Sequence, residues 1–520
     1  MTIWLALLAA QAAPGATLID RTRADRASPA LRPKVGTPAA VAEPVAVDAP
    51  TVTITRIRFT GRDAPVPVAR AARPFVGRKA SRQTLGELAA ALAEGYRHSA
   101  VALYTIAIPA QDFADGVVAV RLVEGRVAAV DFGAPAGPLL RARLTPLTTQ
   151  TPLTQARLER QLTLARAIPG LTLTTDLADP DHDGALRLTA TPVQQDHRLT
   201  AGFSSRGVEL LGGGQLDLAA EGYGVLADGD LLSAKLSAAP DLKRYRLAQA
   251  GYVVPVGASG LALSANGAYL QTRPRRSVGA GTAKQVALAA SYPLIRSFTR
   301  AADVSLSVDG IDSDDATIAN VIASERTRAA RLAAGYSVAS DRRSLALSVA
   351  ASRGLAILGA RALAANPRFT KLTASAAFNQ AIGRRGFVRL SASAQYTRDP
   401  LPAAERFAIG GEALGRGFDE AVVSGDRGGG GLGEVAWRPL AKGRFGESEL
   451  YLFADEARVR VLSRAGGAGA AYSLGSAGAG VRARYAGKAE LGLEAAAVVD
   501  RPYAGYDRDW QVTASWRLTL

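Results

Sequence analysis

Hydrophobic and polar residues alternate one by one along much of the chain after about residue 197. In the last ten residues, every second position from Val512 to Leu520 is apolar, and the other five positions, from Gln511 to Thr519, are Gln, Thr, Ser, Arg and Thr. The same alternation occurs at residues 303–309, 388–397 and 489–495. Because the side chains of a β-strand point alternately to opposite faces, each segment predicts a strand with one apolar and one polar face.

The length and number of these segments favour a membrane barrel over a soluble sandwich, although both folds have alternating strands. The segments persist for about ten residues, the length of a tilted membrane-spanning strand, and no helical domain interrupts residues 197–520. At about 20 residues per strand and connection, this region holds about 16 antiparallel strands. We therefore expect an all-β transmembrane barrel over residues 197–520; a soluble adhesin built of β-sandwiches is the alternative.

The region before the barrel has a mixed pattern of helix and strand that occurs twice. In the first copy, residues 51–125, the predicted elements are a β-rich segment at 52–59, a short helix at 66–75, an amphipathic helix at 81–96 with Ser81 as its N-cap, and strands at 101–108 and 117–123. The second copy, residues 126–196, repeats the order β-α-α-β-β. Such a repeat predicts two small α+β modules in tandem.

The first 50 residues differ in composition from the rest of the chain. Residues 1–13 combine an apolar stretch with Ala10-Gln11-Ala12, a cleavage site typical of a secretory signal peptide, although no Lys or Arg precedes the stretch. Residues 14–50 are rich in Ala, Pro and Val, which favours a flexible linker with room for a short helix between Thr17 and Ala30. No later apolar run is long enough for a transmembrane helix, so we expect membrane insertion through the barrel.

Composition also excludes several kinds of chemistry. The chain has no cysteine, which excludes a disulfide framework, a thiolate zinc site and a cysteine nucleophile. The net charge of +16 raises the question of nucleic acid, but the arginines are scattered and no nucleic-acid motif occurs. A basic surface facing lipopolysaccharide, or a basic lumen, accounts for the same charge. We expect no enzymatic activity, no catalytic or metal site, no cofactor and no nucleic-acid partner.

One stretch at the end of the first module resembles a known family. Pro109 and Gln111 are followed by an apolar strand and by Glu124-Gly125-Arg126. This order is similar to the end of the first POTRA domain in the haemolysin secretion/activation transporters, the TpsB family. The resemblance implies that the two modules are POTRA domains, over residues 51–125 and 126–196.

Three further stretches resemble the barrel of the same family. The first is similar to its Gly-Gly…Val-Arg-Gly-Tyr/Phe loop signature, with Gly415 in place of Val, and comprises Gly410, Gly411, Arg416, Gly417 and Phe418. The second, which includes Phe453 and Asp455, resembles a Phe-x-Asp-x-Gly strand, with Ala457 in place of Gly. The third, residues 474–482, resembles the penultimate strands. The resemblance implies that a loop near 410–430 folds into the barrel and that Arg416 pairs with Asp455.

The family likeness implies a transporter in the bacterial outer membrane that secretes one large adhesin- or haemolysin-type partner by two-partner secretion, with its POTRA domains in the periplasm. We expect the unfolded partner to add a strand to an exposed sheet edge in the first module. The candidate partner-binding residues are Val101, Tyr104, Ile106, Val118, Val120 and Leu122. We also expect a monomer that contacts outer-membrane lipid and lipopolysaccharide. The alternatives are an assembly factor for other barrels and a porin-like channel with periplasmic binding domains.

Overall fold

The part of the chain that the structure describes begins after the N-terminal region. The computed structural model describes residues 52–178, 184–275, 279–316, 321–440, 442–464 and 467–520. The predicted signal peptide at 1–13 and the linker at 14–50, with its short helix, lie outside these ranges. Among the described residues, no helix is long and apolar enough to cross a membrane.

The first module is a three-stranded sheet covered by two helices. Its elements are β1 (Arg56–Thr60), α1 (Val66–Ala72) with a 3₁₀ turn at Arg73–Phe75, α2 (Arg82–Arg97), β2 (Tyr104–Ala107) and β3 (Val117–Glu124). Helix α2 begins where predicted, because the Ser81 hydroxyl oxygen accepts a hydrogen bond from the Thr84 backbone N–H at 3.1 Å. The apolar side of α2, including Leu85 and Leu92, is fully buried against the sheet.

The order of strands in this sheet corrects one prediction. The order is β1-β3-β2, with β1 parallel and β2 antiparallel to β3. Strand β3 is therefore central. Of the two strands that carry the candidate partner-binding residues, at 101–108 and 117–123, the second is not an exposed edge, so its assignment as a binding edge is wrong. The side chains of Val118, Val120 and Leu122 are 0% exposed, so they form core rather than a binding surface. Val101 lies outside β2 and makes a bridge to Thr154 of the second module.

The second module repeats this architecture immediately after the first. Its elements are β4 (Arg126–Phe132), α3 (Pro138–Leu144) with a 3₁₀ turn at Thr145–Thr149, α4 (Gln155–Arg166), β5 (Leu171–Ala178) and β6 (Ala185–Gln194). The sheet order is β4-β6-β5, so the last strand is again central. Only Gly125 separates β3 from β4, which joins the two modules without a flexible linker.

The remaining strands form a closed barrel and one small hairpin. They are β7 (His197–Ser204), β8 (Gln215–Tyr223), β9 (Leu231–Ala238), β10 (Tyr245–Val256), β11 (Leu261–Thr272), β12 (Ala280–Arg296), β13 (Arg300–Ala316), β14 (Val321–Ala339), β15 (Arg343–Gly354), β16 (Thr370–Ile382), β17 (Gly386–Thr397), β18 (Phe407–Ile409), β19 (Val423–Gly425), β20 (Arg427–Trp437), β21 (Glu449–Val461), β22 (Ala470–Tyr485), β23 (Ala489–Asp500) and β24 (Trp510–Thr519). Strands β18 and β19 pair with each other, and the other sixteen form the barrel.

The barrel closes where β24 pairs antiparallel with β7, from Ser515 opposite Ser204 to Thr519 opposite Thr200. The apolar faces of the strands point outward: Leu306 is 60% and Leu491 is 62% exposed. The polar faces point into the lumen, as the alternation in the sequence predicts.

The second module packs directly on the turns at one end of the barrel. In the turn after β8, the Asp228 carboxylate accepts a hydrogen bond from the Leu139 backbone N–H at the start of α3, at 2.5 Å. From α4, the Arg160 guanidinium donates to the Ser259 carbonyl in the turn after β10, at 3.1 Å. Phe298, in the turn after β12, is buried in the core of the module. These contacts hold the second module against the turns at this end of the barrel.

Candidate functional site: the loop inside the barrel

The connection between β17 and β20 folds back into the lumen. We call this connection, residues 398–426, the inner loop; it starts at the barrel end far from the modules and contains a 3₁₀ turn and the β18–β19 hairpin. Leu401, Glu405, Phe418 and Asp426 are 0% exposed, so the loop is enclosed by the barrel wall. The predicted loop near 410–430 is therefore the central part of a longer segment, whose last predicted residues, from Arg427, belong to β20.

The glycines of the loop motif are required by its backbone path. Gly410 and Gly411 both have φ of +103°, in the left-handed region that side chains other than glycine rarely adopt. A Cβ at Gly410 would lie 2.4 Å from the carbonyl oxygen of Asp419. The reversal that turns the loop tip inward therefore depends on these two residues.

Apolar side chains pack the loop tip against the barrel wall. Ile409, Leu414 and Phe418 form one buried cluster with the lumen-facing Ala457 and Leu474. Ala457, where the related motif has glycine, thus contributes its methyl group to this contact. Phe418 of the predicted loop motif belongs to the cluster and is 0% exposed.

Asp455 binds the backbone of the loop, and the predicted pairing of its carboxylate with the Arg416 guanidinium is wrong. One carboxylate oxygen accepts the Arg416 backbone N–H at 3.0 Å, and the other accepts the Ser476 hydroxyl at 2.7 Å. The Ser476 oxygen in turn accepts the Gly417 backbone N–H at 3.0 Å. Because both carboxylate oxygens are used in this way, Asp455 and Ser476 fix two successive peptide groups of the loop motif.

The Arg416 side chain reaches two other acids instead. Its Nη1 lies 3.0 Å from a carboxylate oxygen of Glu434 and 3.2 Å from one of Glu494. The guanidinium carbon also lies 4.7 Å from the ring centroid of Phe453, a cation–π contact with the predicted strand motif. The backbone and the side chain of Arg416 therefore bind different parts of the lumen wall.

These acids belong to a larger cluster that we call the inner charge network. It consists of Glu434, Glu449 and Glu494 together with Arg206, Arg389, Arg416 and Arg482. Glu434 alone contacts three of the arginines, with N–O distances of 2.7 Å to Arg389, 3.0 Å to Arg416 and 2.7 Å to Arg482. Buried carboxylates with several guanidinium partners are held in defined positions by charge-assisted hydrogen bonds.

Both ends of the inner loop have ion-pair anchors of their own. Near the start, Glu405 lies 2.8 Å from Arg331 and 2.7 Å from Lys371, which project from β14 and β16. At the end, Asp426 lies 2.7 Å from Arg464. Removing one partner from such a buried pair costs about 3–5 kcal/mol, because the remaining charge is left uncompensated. The loop is thus held at its start, its tip and its end by polar contacts.

None of the three glutamates of the inner charge network, Glu434, Glu449 and Glu494, was identified from the sequence. They lie on separate strands, and only the strand register shows that they share one part of the lumen.

The candidate partner-binding residues Tyr104 and Ile106 lie in the first module, on β2. Within the described residues, no group of three or more His, Asp or Glu side chains is arranged to hold a metal ion.

Comparison with protein families assigns the chain. Residues 185–483 match the haemolysin secretion/activation protein family ShlB/FhaC/HecB. The chain belongs to this family. Residues 52–125 match the POTRA domain of ShlB type. As a member of the ShlB/FhaC/HecB family, the protein is a two-partner secretion transporter of the bacterial outer membrane, with POTRA structure in the periplasm ahead of its barrel.

Solved structures share this architecture. CdiB from Escherichia coli has a TM-score of 0.73 at 18% identity, over 94% of each chain. CdiB from Acinetobacter baumannii has a TM-score of 0.64 at 18% identity, over 92% of each chain. BamA from Haemophilus ducreyi lacking POTRA domains 1–3 has a TM-score of 0.52 at 10% identity, over 90% of this chain and 100% of that chain. A comparison with curated proteins found no match. The likenesses show a common fold.

The family assignment also orients the barrel. The modules are periplasmic, so the turns after β8, β10 and β12, which contact the second module, face the periplasm. Successive antiparallel strands alternate in direction, so the connection from β17 to β20 is at the extracellular end. The inner loop therefore enters the lumen from outside the cell.

Proposed function

We propose that the first module captures an unfolded secreted partner at the outer edge of β2, and that the partner then passes through the lumen while the inner loop is displaced. The observation that carries the proposal is the way the loop is held. Its anchors are hydrogen bonds and ion pairs to the lumen wall, and its apolar contacts are divided among three separate clusters, around Phe418, around Ala403 and Ala404, and around Leu401. Such anchors can break and reform without unfolding the barrel.

The edge strand β2 supports the capture step. Only β3 pairs with it, and no other strand within the described ranges occupies its second edge. The Tyr104 ring stacks on Tyr96 of α2 with 4.4 Å between centroids, which orders the strand from within the module. An added strand would gain main-chain hydrogen bonds with little demand on its sequence, as suits an unfolded partner.

The lumen wall supports the passage step. With the inner loop and its Arg416 displaced, the other residues of the inner charge network would line an aqueous path with both signs of charge. A passing chain could exchange hydrogen bonds with them. Since no nucleotide is available in the periplasm, folding of the partner outside the cell would supply the driving force. A single-file unfolded chain fits the proposal, because among the described residues the inner loop is one segment of this same chain that lies buried inside the sixteen-stranded barrel.

Photo-crosslinking during secretion tests both steps. A photoreactive benzoylphenylalanine at Thr105 in β2 should capture the partner, whereas the same residue at the exposed Gln83 of α2 should not. At Phe453, which faces the lumen, it should capture a partner arrested in transit, whereas at the adjacent Leu452, which is 65% exposed on the outer wall, it should not. Crosslinks at Thr105 without any at Phe453 would leave the capture step standing and refute passage through the lumen.

A further inference from the structure

Arginines cluster on the outer wall of the barrel, near its extracellular end. Arg427 on β20 lies directly opposite Arg460 on β21, and Arg458 is two residues before Arg460. The intervening Val459 is 1% exposed and contacts the inner loop, so its neighbours Arg458 and Arg460 point outward. We call Arg427, Arg458 and Arg460 the outer arginine patch.

A fourth arginine extends the patch on the next strand. The pairing of Gln395 with Gly428 places Tyr396 beside Arg427 on the outer face. The Nε of Arg398 lies 3.4 Å from the Tyr396 hydroxyl oxygen, at the end of β17. Arginine side chains from β20, from β21 and from the residue that follows β17 thus share this part of the wall.

The charge of the patch is not balanced by the protein. Within the described part of the chain, the side chains of Arg427, Arg458 and Arg460 make no hydrogen bond or salt bridge. Glu456 faces the same side but forms no ion pair with them. Like charges directly opposite each other destabilise a sheet, which indicates that an anion from outside the protein compensates them.

Another part of the outer wall shows the contrasting arrangement. There, Arg328 on β14 lies 2.7 Å from Asp312 on β13, its diagonal neighbour across the strand pair. An outward arginine near the extracellular end is therefore paired where the sequence supplies an acid. Among the residues that the structure describes, the outer arginine patch has no such partner.

The shape and the height of the patch fit a lipid head group. Gly429 and Gly431, which face outward beside Ala394 and Ala392, leave a shallow recess below the arginines. From Leu450 to Arg460 the strand spans about 34 Å, or about 26 Å along the membrane normal at a tilt of about 40°. Because the apolar band of such a barrel is about 25 Å tall, the arginines lie at its upper border.

We propose that the outer arginine patch binds the phosphate groups of lipopolysaccharide in the outer leaflet. Guanidinium groups bind phosphate oxygens in a bidentate manner, and several arginines within one patch can hold a bisphosphorylated head group while its acyl chains lie on the apolar wall below. The patch is separate from the lumen and from the inner charge network, so this role does not depend on the proposed transport mechanism.

Lipid binding by the purified full-length protein tests the proposal. We would titrate detergent-solubilised protein with bisphosphorylated lipid A, in the presence of a chelator, and compare the wild type with the triple variant Arg427→Ser, Arg458→Ser, Arg460→Ser. A matched control removes three positive charges at the periplasmic end, through Arg384→Ser, Arg385→Ser and Lys442→Ser. A variant with lysine at the three patch positions keeps the charge, and heat-modifiability on gels shows that each barrel is folded.

We expect the serine triple variant to bind bisphosphorylated lipid A at least tenfold more weakly than the wild type, with the lysine variant in between and the control within twofold. Lipid A lacking its phosphates should bind the wild type as weakly as the phosphorylated form binds the triple variant. Equal affinity of wild type and triple variant would overturn the proposal. Displacement of lipid A by an equal concentration of inorganic phosphate would also overturn it, because the patch would then recognise free phosphate.

Discussion

Replacement of Arg416 by alanine should loosen the inner loop without unfolding the barrel. The change removes the contacts of the guanidinium with Glu434 and Glu494, at 3.0 and 3.2 Å, and its stacking on Phe453. Hydrogen bonds to charged groups contribute about 1.5–3 kcal/mol each, and here both carboxylates keep other arginine partners. We therefore expect the loop to lose about 3 kcal/mol of its anchoring, which raises the ratio of displaced to seated loop about 150-fold.

Labelling of a single introduced cysteine measures that ratio. The chain has no cysteine of its own, so Ala457→Cys supplies a unique thiol under the loop. Ala457 is 2% exposed and belongs to the cluster around Phe418, so a membrane-impermeant maleimide can reach it only when the loop is displaced. When opening and closing are fast, the labelling rate follows the open population, and it should rise about 150-fold with Arg416→Ala.

A second ion pair of the loop provides the control. Arg508 lies 2.7 Å from Asp419 of the loop, but their side chains are 28% and 22% exposed. Such a pair contributes about 0.2–1 kcal/mol, so Arg508→Ala should change the labelling rate less than about fivefold. Equal rates for the wild type and Arg416→Ala would refute the role given to the inner charge network, and equal increases for both variants would show that burial does not set the strength of these anchors.

Three further outcomes follow from the structure. Ser476→Ala removes one hydrogen-bonded link between the barrel and the loop backbone, worth about 1–2 kcal/mol, and should raise the same labelling rate about tenfold. Leu122→Arg places a charge in the core of the first module and should cost more than about 4 kcal/mol, so limited proteolysis should digest that module while the barrel stays heat-modifiable. Arg160→Ala loosens the second module on the barrel turns, and spin labels at Thr172→Cys and Arg342→Cys should show a broader distance distribution than in the wild type. An unchanged distribution would show that the other contacts suffice.

The barrel and the modules could be predicted from the sequence because each depends on a local pattern. A strand between lipid and an aqueous lumen must alternate, and the segment from Val512 to Leu518 does so whichever strands lie next to it. The N-cap at Ser81 and the apolar side of α2 are likewise set within one helix. The repeat of one element order then predicted the second module.

The contacts of the site could not be predicted, because they depend on strand order and register. The sequence of Val117–Glu124 is compatible with an edge strand and with a central strand. Only the parallel pairing with β1 makes the strand central. Arg416 has several acids within reach of a folded loop. Which of them it meets depends on the register that brings Glu434 and Glu494 to one level of the lumen. It also depends on the Arg416 backbone N–H and the Ser476 hydroxyl, which occupy the two carboxylate oxygens of Asp455.

Secretion of the partner by a transporter with a locked loop tests the central claim most directly. An ideal Cβ at Gly417 lies 3.0 Å from the Cβ of Ser476, so Gly417→Cys with Ser476→Cys should form a disulfide after a small shift. Each single cysteine variant serves as a control. If the loop must leave its seat, secretion should stop when the pair is oxidised and resume on reduction, with both single variants exporting in either condition. Continued secretion by the fully oxidised pair would contradict the account.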